Sequence, residues 1–493
     1  MMNYFKNINT VKLATFIAIL FLLQGCSDFL EQEPGTQISI TEQLKTKEGV
    51  LQAVNGMYRS LESTLRGGNY TIYADLQGGN LKFTPSTAES SKGQISILTG
   101  VSNIYSFDDQ SNNSNLANFY SNSYTVINQA NLILEFTDAL TDATEAEKNQ
   151  IKAEALTVRA YAHFLVSEVY SQNYGFTADA SHLGIIYTRA SIDKGLIYPA
   201  RETVANTYSF IIEDINTALH LYSDAKILGG PVYSYFNKTS AKALLARVYL
   251  SKKDWKNAYD TASDVITNSG VNLVSTSDYI SEWAQPDLPI SEILLELTIP
   301  KTNEGGASGS LSSFYGYTSP TVYANYAASQ DLIDLYETSD IRKQLFLVQP
   351  ISTIVNLQPV ALKYYFTRKF QGNPGYVAFR LSEQYLIRAE AAVELNNTNQ
   401  AKTDLNTLRL RANASAVQDA ENLKEAIFLE RRKELCFEGH LLFDIGRNHS
   451  NISRNDGCIA LSCGLTYPSP KFVLPVPRNN INLNPNLKQN ESY

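Results

Sequence analysis

Apolar residues recur at helical intervals along most of the chain. The segment Glu145–Tyr170 is the clearest case, since its apolar residues lie alternately four and three positions apart: Ile151, Ala155, Val158, Ala162, Leu165 and Val169. This interval predicts an amphipathic helix that packs by one face. The same reasoning predicts helices at residues 41–65, 118–136, 203–222, 239–251, 255–268, 381–395, 401–411 and 421–445.

Two pairs of these helices have the spacing of a tetratricopeptide repeat. In the pair 239–251 and 255–268, Ala246 and Ala258 take positions that the repeat keeps small, and 381–395 with 401–411 is a looser copy. Two antiparallel helices approach closely only where one residue of each facing pair is small. The pattern predicts helical hairpins that stack on one another. Isolated hairpins of an unrelated fold would share part of it.

Two segments lack a helical period. Residues 69–115 are rich in Gly, Ser, Thr and aromatic residues, and we expect a structured loop with short strands there. Residues 270–375 are mostly irregular and contain a Gly/Ser run at 304–320 that also carries Phe314, Tyr315 and Tyr317. Long loops of this kind are usually functional or disordered, and the clustered aromatic residues favour function.

The N-terminus has the features of an export signal. An apolar run from Leu13 to Leu23 follows Lys6 and Lys12, and it is shorter than the roughly 20 residues that a membrane-spanning helix needs. It ends in Gly25-Cys26, which resembles the lipobox of bacterial lipoproteins and predicts cleavage before Cys26 and lipidation of its thiol. An ordinary secretory signal with a chance cysteine is the alternative. No later stretch reaches about 18 uninterrupted apolar residues, so the lipid is the only membrane contact we expect.

Composition narrows the functional classes. Lys+Arg 41 against Asp+Glu 49 gives a net charge of −8, which disfavours nucleic acid as a partner. The chain has 30 Tyr and 21 Phe but only 2 Trp, and tyrosine combines a flat apolar ring with a polar tip that suits recognition surfaces.

Cysteine and histidine give little sign of a metal or a catalytic site. An exported protein permits disulfides, and we expect a Cys458–Cys463 bridge with Cys436 as a buried free thiol. The thiols lack zinc spacing and no nucleotide or metalloprotease motif is present, so we expect no cofactor and no metal. His163 is expected in the core. The charged run 430–434 is expected to form a buried or interhelical ion network.

Short motifs in a fixed order resemble the SusD/RagB family of Bacteroidetes surface lipoproteins. Each motif alone is weak, and their joint order carries the resemblance over nearly the whole chain: CSDFLE at 26–31, NQAN at 128–131, AEA at 153–155, RAY at 159–161, LLARVYL at 244–250, RLSE at 380–383, RAEA at 388–391, ERRKEL at 430–435, EGH at 438–440, FDI at 443–445 and NPNLKQN at 484–490.

The resemblance implies a mainly α fold of tetratricopeptide-like helical hairpins with a less regular, loop-rich ligand-binding part. The expected organisation is a lipoprotein signal peptide at 1–25, a lipidated leader at 26–40 and an N-terminal helical region at 41–269 with a loop insert at 69–115. A loop-rich insertion follows at 270–375, and a C-terminal family region with the last repeat occupies 376–493.

The resemblance also implies a function. Family members lie on the outer membrane facing the cell exterior, where they capture nutrients for a TonB-dependent transporter, the SusC-like partner. We expect a non-enzymatic protein that binds oligosaccharides and delivers them to that transporter. Peptides as ligands are the first alternative, and a surface glycan hydrolase and a purely structural scaffold are further ones.

A glycan site needs flat aromatic rings flanked by hydrogen-bonding side chains on positioned loops. Two segments offer that mixture, although core packing is the alternative for each aromatic residue. Trp283 is the strongest candidate, because its neighbours resemble a loop outside the repeats. The expected ligand-binding residues are Tyr70, Tyr73, Asp75, Asn103 and Tyr105 from the first segment, and Tyr279, Trp283, Tyr315 and Tyr317 from the second.

Overall fold

The computed structural model describes residues 39–191, 197–285, 289–297, 311–370, 375–418 and 422–493. The signal peptide and Cys26 therefore lie outside the described residues. The helices of the N-terminal half are α1 Ile40–Gln43, α2 Lys47–Arg66, α3 Gly68–Gly78, α4 Ser102–Tyr105, α5 Ala117–Thr137, α6 Glu145–Tyr170, α7 Val204–Leu221, α8 Lys238–Lys252 and α9 Trp255–Asn268. Those of the C-terminal half are α10 Tyr279–Ala284, α11 Leu311–Tyr315, α12 Gln330–Ile333, α13 Leu381–Glu394, α14 Thr398–Arg411, α15 Leu423–Glu434, α16 Leu441–Arg447 and α17 Arg478–Leu483.

The long helices pack in a continuous series. Helix α2 lies against α5, and each of α5 to α8 packs on the next helix. Helix α9 then packs on α13, which is followed by α14 and α15, so the two predicted repeat pairs are direct neighbours although more than a hundred residues separate them in sequence. The expected mainly α fold of stacked hairpins is confirmed.

Small residues allow the close approach at this junction. Ala246 on α8, Ala258 and Ala262 on α9 and Ala391 on α13 are fully buried in one cluster. Caps fix where helices begin: Thr144 and Glu147 form a reciprocal capping box at the start of α6, which explains why its predicted bounds are correct.

Two predictions of local structure are wrong. Residues 69–115 contain the helix α3, because the chain turns at Gly67 and resumes a helix at once instead of ending there. Residues 421–445 form two helices, α15 and α16, because Phe437 (φ 66°) and Gly439 (φ 83°) adopt left-handed conformations that interrupt the helix.

The segment between α9 and α13 forms most of the strands. They are β2 Ile293–Leu297, β3 Tyr317–Ser319, β4 Val322–Tyr323, β5 Tyr326–Ala328, β6 Phe346–Val355, β7 Gln358–Thr367 and β8 Tyr376–Arg380, with β1 Leu81–Phe83 before them and β9 Ile452–Ser453 and β10 Gly464–Leu465 after them. An antiparallel sheet has the order β1-β5-β7-β6, and its long β6–β7 hairpin turns at Asn356 and Leu357.

A buried ion network joins this insertion to the C-terminal helices. The Glu434 carboxylate on α15 accepts from Arg342 at 2.8 Å, from Arg380 at 2.7 Å and from Arg411 at 2.5 Å, and all four side chains are buried. Further members are Glu292, Asp340, Lys369, Glu430, Lys433 and Glu438. The expected network around residues 430–434 is confirmed, and it reaches further than one helix.

The arginines decide the charge state of Glu434. Burial by itself raises a carboxyl pKa, but Arg411, Arg380 and Arg342 outweigh that effect and hold the pKa of Glu434 well below its usual range. The carboxylate is therefore charged in the folded protein and needs its partners.

His163 is a core residue, as expected. Its ring is fully buried, Nδ1 lies 2.9 Å from the carbonyl oxygen of Arg159, and Nε2 accepts from the backbone N–H of Thr188 at 3.3 Å. Burial holds the pKa of His163 well below its usual value, so the ring is neutral.

We expect Glu434→Gln to lower the free energy of unfolding by about 3–5 kcal/mol, because it leaves buried arginine charge without its counterion. Urea denaturation followed by circular dichroism measures the loss. The matched control is Asp260→Asn, which breaks the exposed Lys256–Asp260 pair and should leave the stability close to that of wild type. Equal losses in the two variants would contradict the importance of the network.

Candidate functional site

One face of the four-stranded sheet is separate from the main core. The register pairs Lys82 with Ala327 and Ala328 with Tyr365, which places Lys82, Ala327, Tyr364 and Phe366 on the same side. Ala327, Tyr364 and Phe366 form a hydrophobic cluster of their own with Ile351, while the opposite side of the sheet joins the main core. We call this separate side the outer face.

Two tyrosines lie over the outer face. Tyr317 and Tyr323 are cross-strand neighbours on the β3–β4 hairpin, and their rings are parallel within 8° with centroids 6.2 Å apart. Both rings rest on Phe366, at 5.1 and 5.6 Å. Tyr323 Oη donates to the carbonyl oxygen of Pro85 at 3.0 Å, which fixes the ring. Both residues are half-buried, so this tyrosine pair keeps part of its surface open to solvent.

An ion pair lies beside the tyrosine pair on the same face. Lys82 Nζ is 2.8 Å from Asp456 Oδ2 and lies over the Tyr364 ring at 5.0 Å from its centroid. The backbone N–H of Gln330 donates to the same carboxylate oxygen at 2.7 Å. Because the two charges neutralise each other, this part of the face offers hydrogen-bonding groups without a net charge.

A cross-linked loop covers the lysine. Gly457 follows Asp456 with φ 68°, and a Cβ there would lie 2.7 Å from Lys82 Cβ, so glycine is needed both for the turn and for space. Cys458 and Cys463 are joined at an S–S distance of 2.06 Å, which is the expected pairing, and Cys436 is the buried free thiol.

The face continues along the hairpin towards its turn. Val360 and Leu362 follow the same alternation as Tyr364 and Phe366, and they are 41% and 38% exposed. The turn of the β3–β4 hairpin, next to the tyrosine pair, presents the hydroxyls of Ser319 and Thr321, which are 3.3 Å apart. The outer face thus combines aromatic rings, apolar side chains and hydroxyl groups, which are the groups that bind a molecule with apolar faces and many hydroxyls.

The structure places the residues expected from 69–75 in the interior. Tyr70, Tyr73 and Asp75 are on the helix α3 and are buried, and Tyr70 stacks on Phe119 at 4.1 Å. Asp75 accepts from Asn80, from the backbone N–H of Phe437 and from that of Gly439. Burial raises its pKa although these bonds act in the opposite direction. These three residues are structural, because a helix in place of the expected loop turns them inward.

Tyr105 and Asn103 also support their own surroundings. Tyr105 is buried, packs edge-on against Phe83 at 4.8 Å and lies under the Arg454 guanidinium at 4.2 Å. Asn103 is half-buried, and its Nδ2 donates to the carbonyl oxygen of Asn113 at 3.0 Å. Neither residue contributes to the outer face.

The expectation that Trp283 lies in a loop is wrong. Trp283 lies on the helix α10 and not in a loop, is 4% exposed, and packs edge-on against Phe370 at 5.3 Å with Lys369 Nζ 4.9 Å above its ring. Tyr279 on the same helix is buried under Arg411. A ring without exposed surface cannot stack on a ligand, so both residues belong to the packing around the ion network.

Of the expected second group, Tyr317 alone reaches the outer face. Tyr315 is buried, with its ring 5.0 Å from Phe437, because the short helix α11 turns it inward two residues before β3 begins. The residues that sequence reasoning missed are Lys82, Tyr364, Phe366 and Asp456. The alternating apolar residues 360, 362, 364 and 366 were a signal for a strand with one apolar face.

Neither a metal centre nor a membrane span is present in the part of the chain that the structure describes. No group of three His, Cys, Asp or Glu residues among these residues has the geometry to hold a metal ion. None of the described helices combines the length and the hydropathy that crossing a bilayer requires.

Two family models match large parts of the chain. A family model described as "Starch-binding associating with outer membrane" matches residues 28–250, and a SusD family model matches residues 363–493. The chain belongs to the SusD/RagB family. The resemblance stated from its sequence motifs is confirmed.

The matches to individual SusD relatives cover almost the full length of this chain. SusD-like protein P2 of Formosa agariphila is 25% identical over 481 residues, which are 88% of this chain and 90% of that protein. A SusD superfamily protein from Bacteroides thetaiotaomicron superposes with a TM-score of 0.77 at 25% identity, covering 90% of this chain and 99% of that one. A putative sugar binding protein from Bacteroides vulgatus gives 0.77 at 26% identity, covering 91% and 99%.

We expect Trp283→Ala to lower the free energy of unfolding by about 3–5 kcal/mol, because removing a buried indole leaves a cavity beside the ion network. Guanidinium denaturation followed by circular dichroism checks this. Trp255→Ala is the matched control, since this other tryptophan of the chain is half-buried at the start of α9 and should cost less than half as much. A Trp283→Ala variant as stable as wild type would show that the indole is not packed.

Proposed function

We propose that this SusD/RagB protein binds uncharged oligosaccharides on its outer face and releases them unaltered to a TonB-dependent transporter. The observation that carries the proposal is the tyrosine pair: two parallel, half-open rings fixed on Phe366 beside a neutralised ion pair. Each ring offers a flat face for the C–H side of a sugar ring. The Lys82 ammonium and the Asp456 carboxylate supply a donor and an acceptor for its hydroxyls.

The chemistry of the face favours binding over cleavage. Asp456 is ion-paired with Lys82 and accepts from the Gln330 N–H, so it helps to hold the loop, and the lone pairs that remain on its carboxylate can accept from hydroxyls. Burial raises the pKa of Glu154 to about 7 and that of Glu168 to about 8, but both carboxyls lie on α6 and not on this face. We propose no covalent step.

Support for the ligand class comes from relatives as well. The matching family model is described as starch-binding, and the similar Bacteroides vulgatus structure is described as a putative sugar binding protein. We extend the same inference to the location: a lipid on Cys26 would hold the protein at the outer membrane, facing the exterior, next to its SusC-like transporter.

We expect the double variant Tyr317→Ala/Tyr323→Ala to weaken oligosaccharide binding at least about tenfold, because it removes both stacking surfaces. Isothermal titration with a panel of neutral glycans and a mixed oligopeptide pool measures the change and identifies the ligand class. The matched control is Tyr385→Ala, a half-buried tyrosine on α13 whose ring faces Arg388. Unchanged glycan affinity in the double variant would remove the outer face as the site, and binding of peptides alone would replace the ligand class.

We expect Cys26→Ala to move the protein from the membrane fraction to the soluble fraction, because the variant lacks the thiol that carries the lipid. Fractionation of cells and protease treatment of intact cells measure attachment and orientation, with Ser27→Ala as the control that should remain attached. A Cys26→Ala protein that stays membrane-bound would contradict the lipid anchor.

A further inference from the structure

The cross-linked loop beside the outer face is closed at a single residue, Cys463. The Cys463 carbonyl oxygen accepts from the backbone N–H of Arg454 at 2.9 Å, and its sulfur is bonded to Cys458. The segment 454–458 is therefore fastened to the same residue at both of its ends. We call this segment, which carries Asp456, the acid loop.

One end of the acid loop is anchored in the protein interior. Arg454 is 3% exposed, and its guanidinium lies 4.2 Å from the centroid of the Tyr105 ring. Its Nη1 donates to the Tyr105 carbonyl oxygen at 2.8 Å and its Nη2 to that of Ser462 at 2.7 Å. Tyr105 packs against Phe83 on β1, the strand that also carries Lys82. This end of the loop therefore has a fixed position relative to β1.

The other end of the acid loop depends on the disulfide. Gly457 follows Asp456, is exposed and adopts φ 68°. Glycine has wide conformational freedom, so the backbone next to Asp456 is restrained by the cross-link that follows it and not by its own side chain. Two hydrogen bonds to the start of α12 also hold the loop, one from the Gln330 N–H to Asp456 and one from the loop backbone to Asp331. The cross-link thus limits how far the Asp456 carboxylate can move.

The position of Asp456 decides whether the outer face carries a net charge. In the part of the chain that the structure describes, no other carboxylate lies within salt-bridge distance of Lys82. The Asp456 side chain is 27% exposed and that of Lys82 is 12% exposed, so the pair borders solvent. A carboxylate that moves away leaves an ammonium without a countercharge beside Tyr364. The face then favours an anionic ligand over an uncharged one.

We infer that Cys458 and Cys463 are positioning residues for ligand binding: their cross-link holds Asp456 on Lys82 and so keeps the outer face selective for uncharged oligosaccharides. This inference rests on the proposed function and adds what maintains the ligand class at that site. The cross-link acts on affinity through Asp456, whereas the tyrosine pair acts by stacking.

The test is titration calorimetry of Cys458→Ser/Cys463→Ser and wild type with a matched pair of probes. One probe is the neutral oligosaccharide that wild type binds most tightly in the glycan panel, and the other is the same compound with its primary hydroxyls oxidised to carboxylates. We expect the variant to bind the neutral probe at least about threefold more weakly. Its affinity for the acidic probe relative to the neutral one should rise by at least the same factor, because Lys82 loses its countercharge.

The variant Asp456→Asn separates positioning from a general effect on stability. If the cross-link acts through Asp456, adding Cys458→Ser/Cys463→Ser to Asp456→Asn causes no further loss of affinity for the neutral probe. Losses that add up overturn the inference. The matched control is Leu461→Ala, a fully exposed side chain inside the same cross-linked loop, which should leave both affinities unchanged.

The outcomes separate the two proposals. A cross-link variant that binds both probes like wild type, while Tyr317→Ala/Tyr323→Ala weakens binding, overturns the positioning role and keeps the proposed function. Unchanged binding in both variants overturns the outer face, and this inference with it. A loss of neutral affinity without a change in the ratio of the two probes overturns the effect on charge. Should the cross-link variant melt more than a few degrees below wild type, folded wild-type protein reduced with a phosphine takes its place.

Discussion

The buried ion network around Glu434 constrains the rest of the molecule. Charges removed from water are stable only with their partners in good geometry, so the elements that carry them cannot shift independently. Arg342 lies four residues before β6, and Lys369 lies two residues after β7. Both are buried and bound to C-terminal carboxylates, Arg342 to Glu434 and Lys369 to Glu438. The two ends of the long hairpin are therefore held by the network, and with them the strand that carries Tyr364 and Phe366.

A second set of contacts positions the remaining edge of the outer face. Asp75 at the end of α3 accepts backbone N–H groups of the turn between α15 and α16, and Arg432 donates to Asn80 at 2.8 Å. Strand β1 begins directly after Asn80, so Lys82 is placed by contacts to the C-terminal helices. Residues that looked like ligand contacts in the sequence, Asp75 above all, instead hold the elements on which the outer face is built.

The sequence was sufficient to predict most of the long helices and the family, but not the residues of the candidate site. Helical period and caps are local, which is why the bounds of α6 and α9 were predicted correctly. The burial of an aromatic side chain is decided by tertiary packing: Trp283 and Tyr317 have similar polar neighbours in sequence, yet one lies under Lys369 and the other stays half-open. The Lys82–Asp456 pair joins residues several hundred positions apart, and no local pattern could reveal it.

The pairing of β1 with β5 means that the outer face forms late in folding. Leu81 is paired with Ala328, so β1 can pair only after β5 has been synthesised, some 250 residues later. The ion pair that completes the face needs Asp456, close to the C-terminus. A chain released early, or one that has opened locally at either end, therefore lacks an intact outer face. If the face is the binding surface, ligand binding stabilises only molecules in which both β1 and the region of Asp456 are in place, so it also opposes local opening at either end.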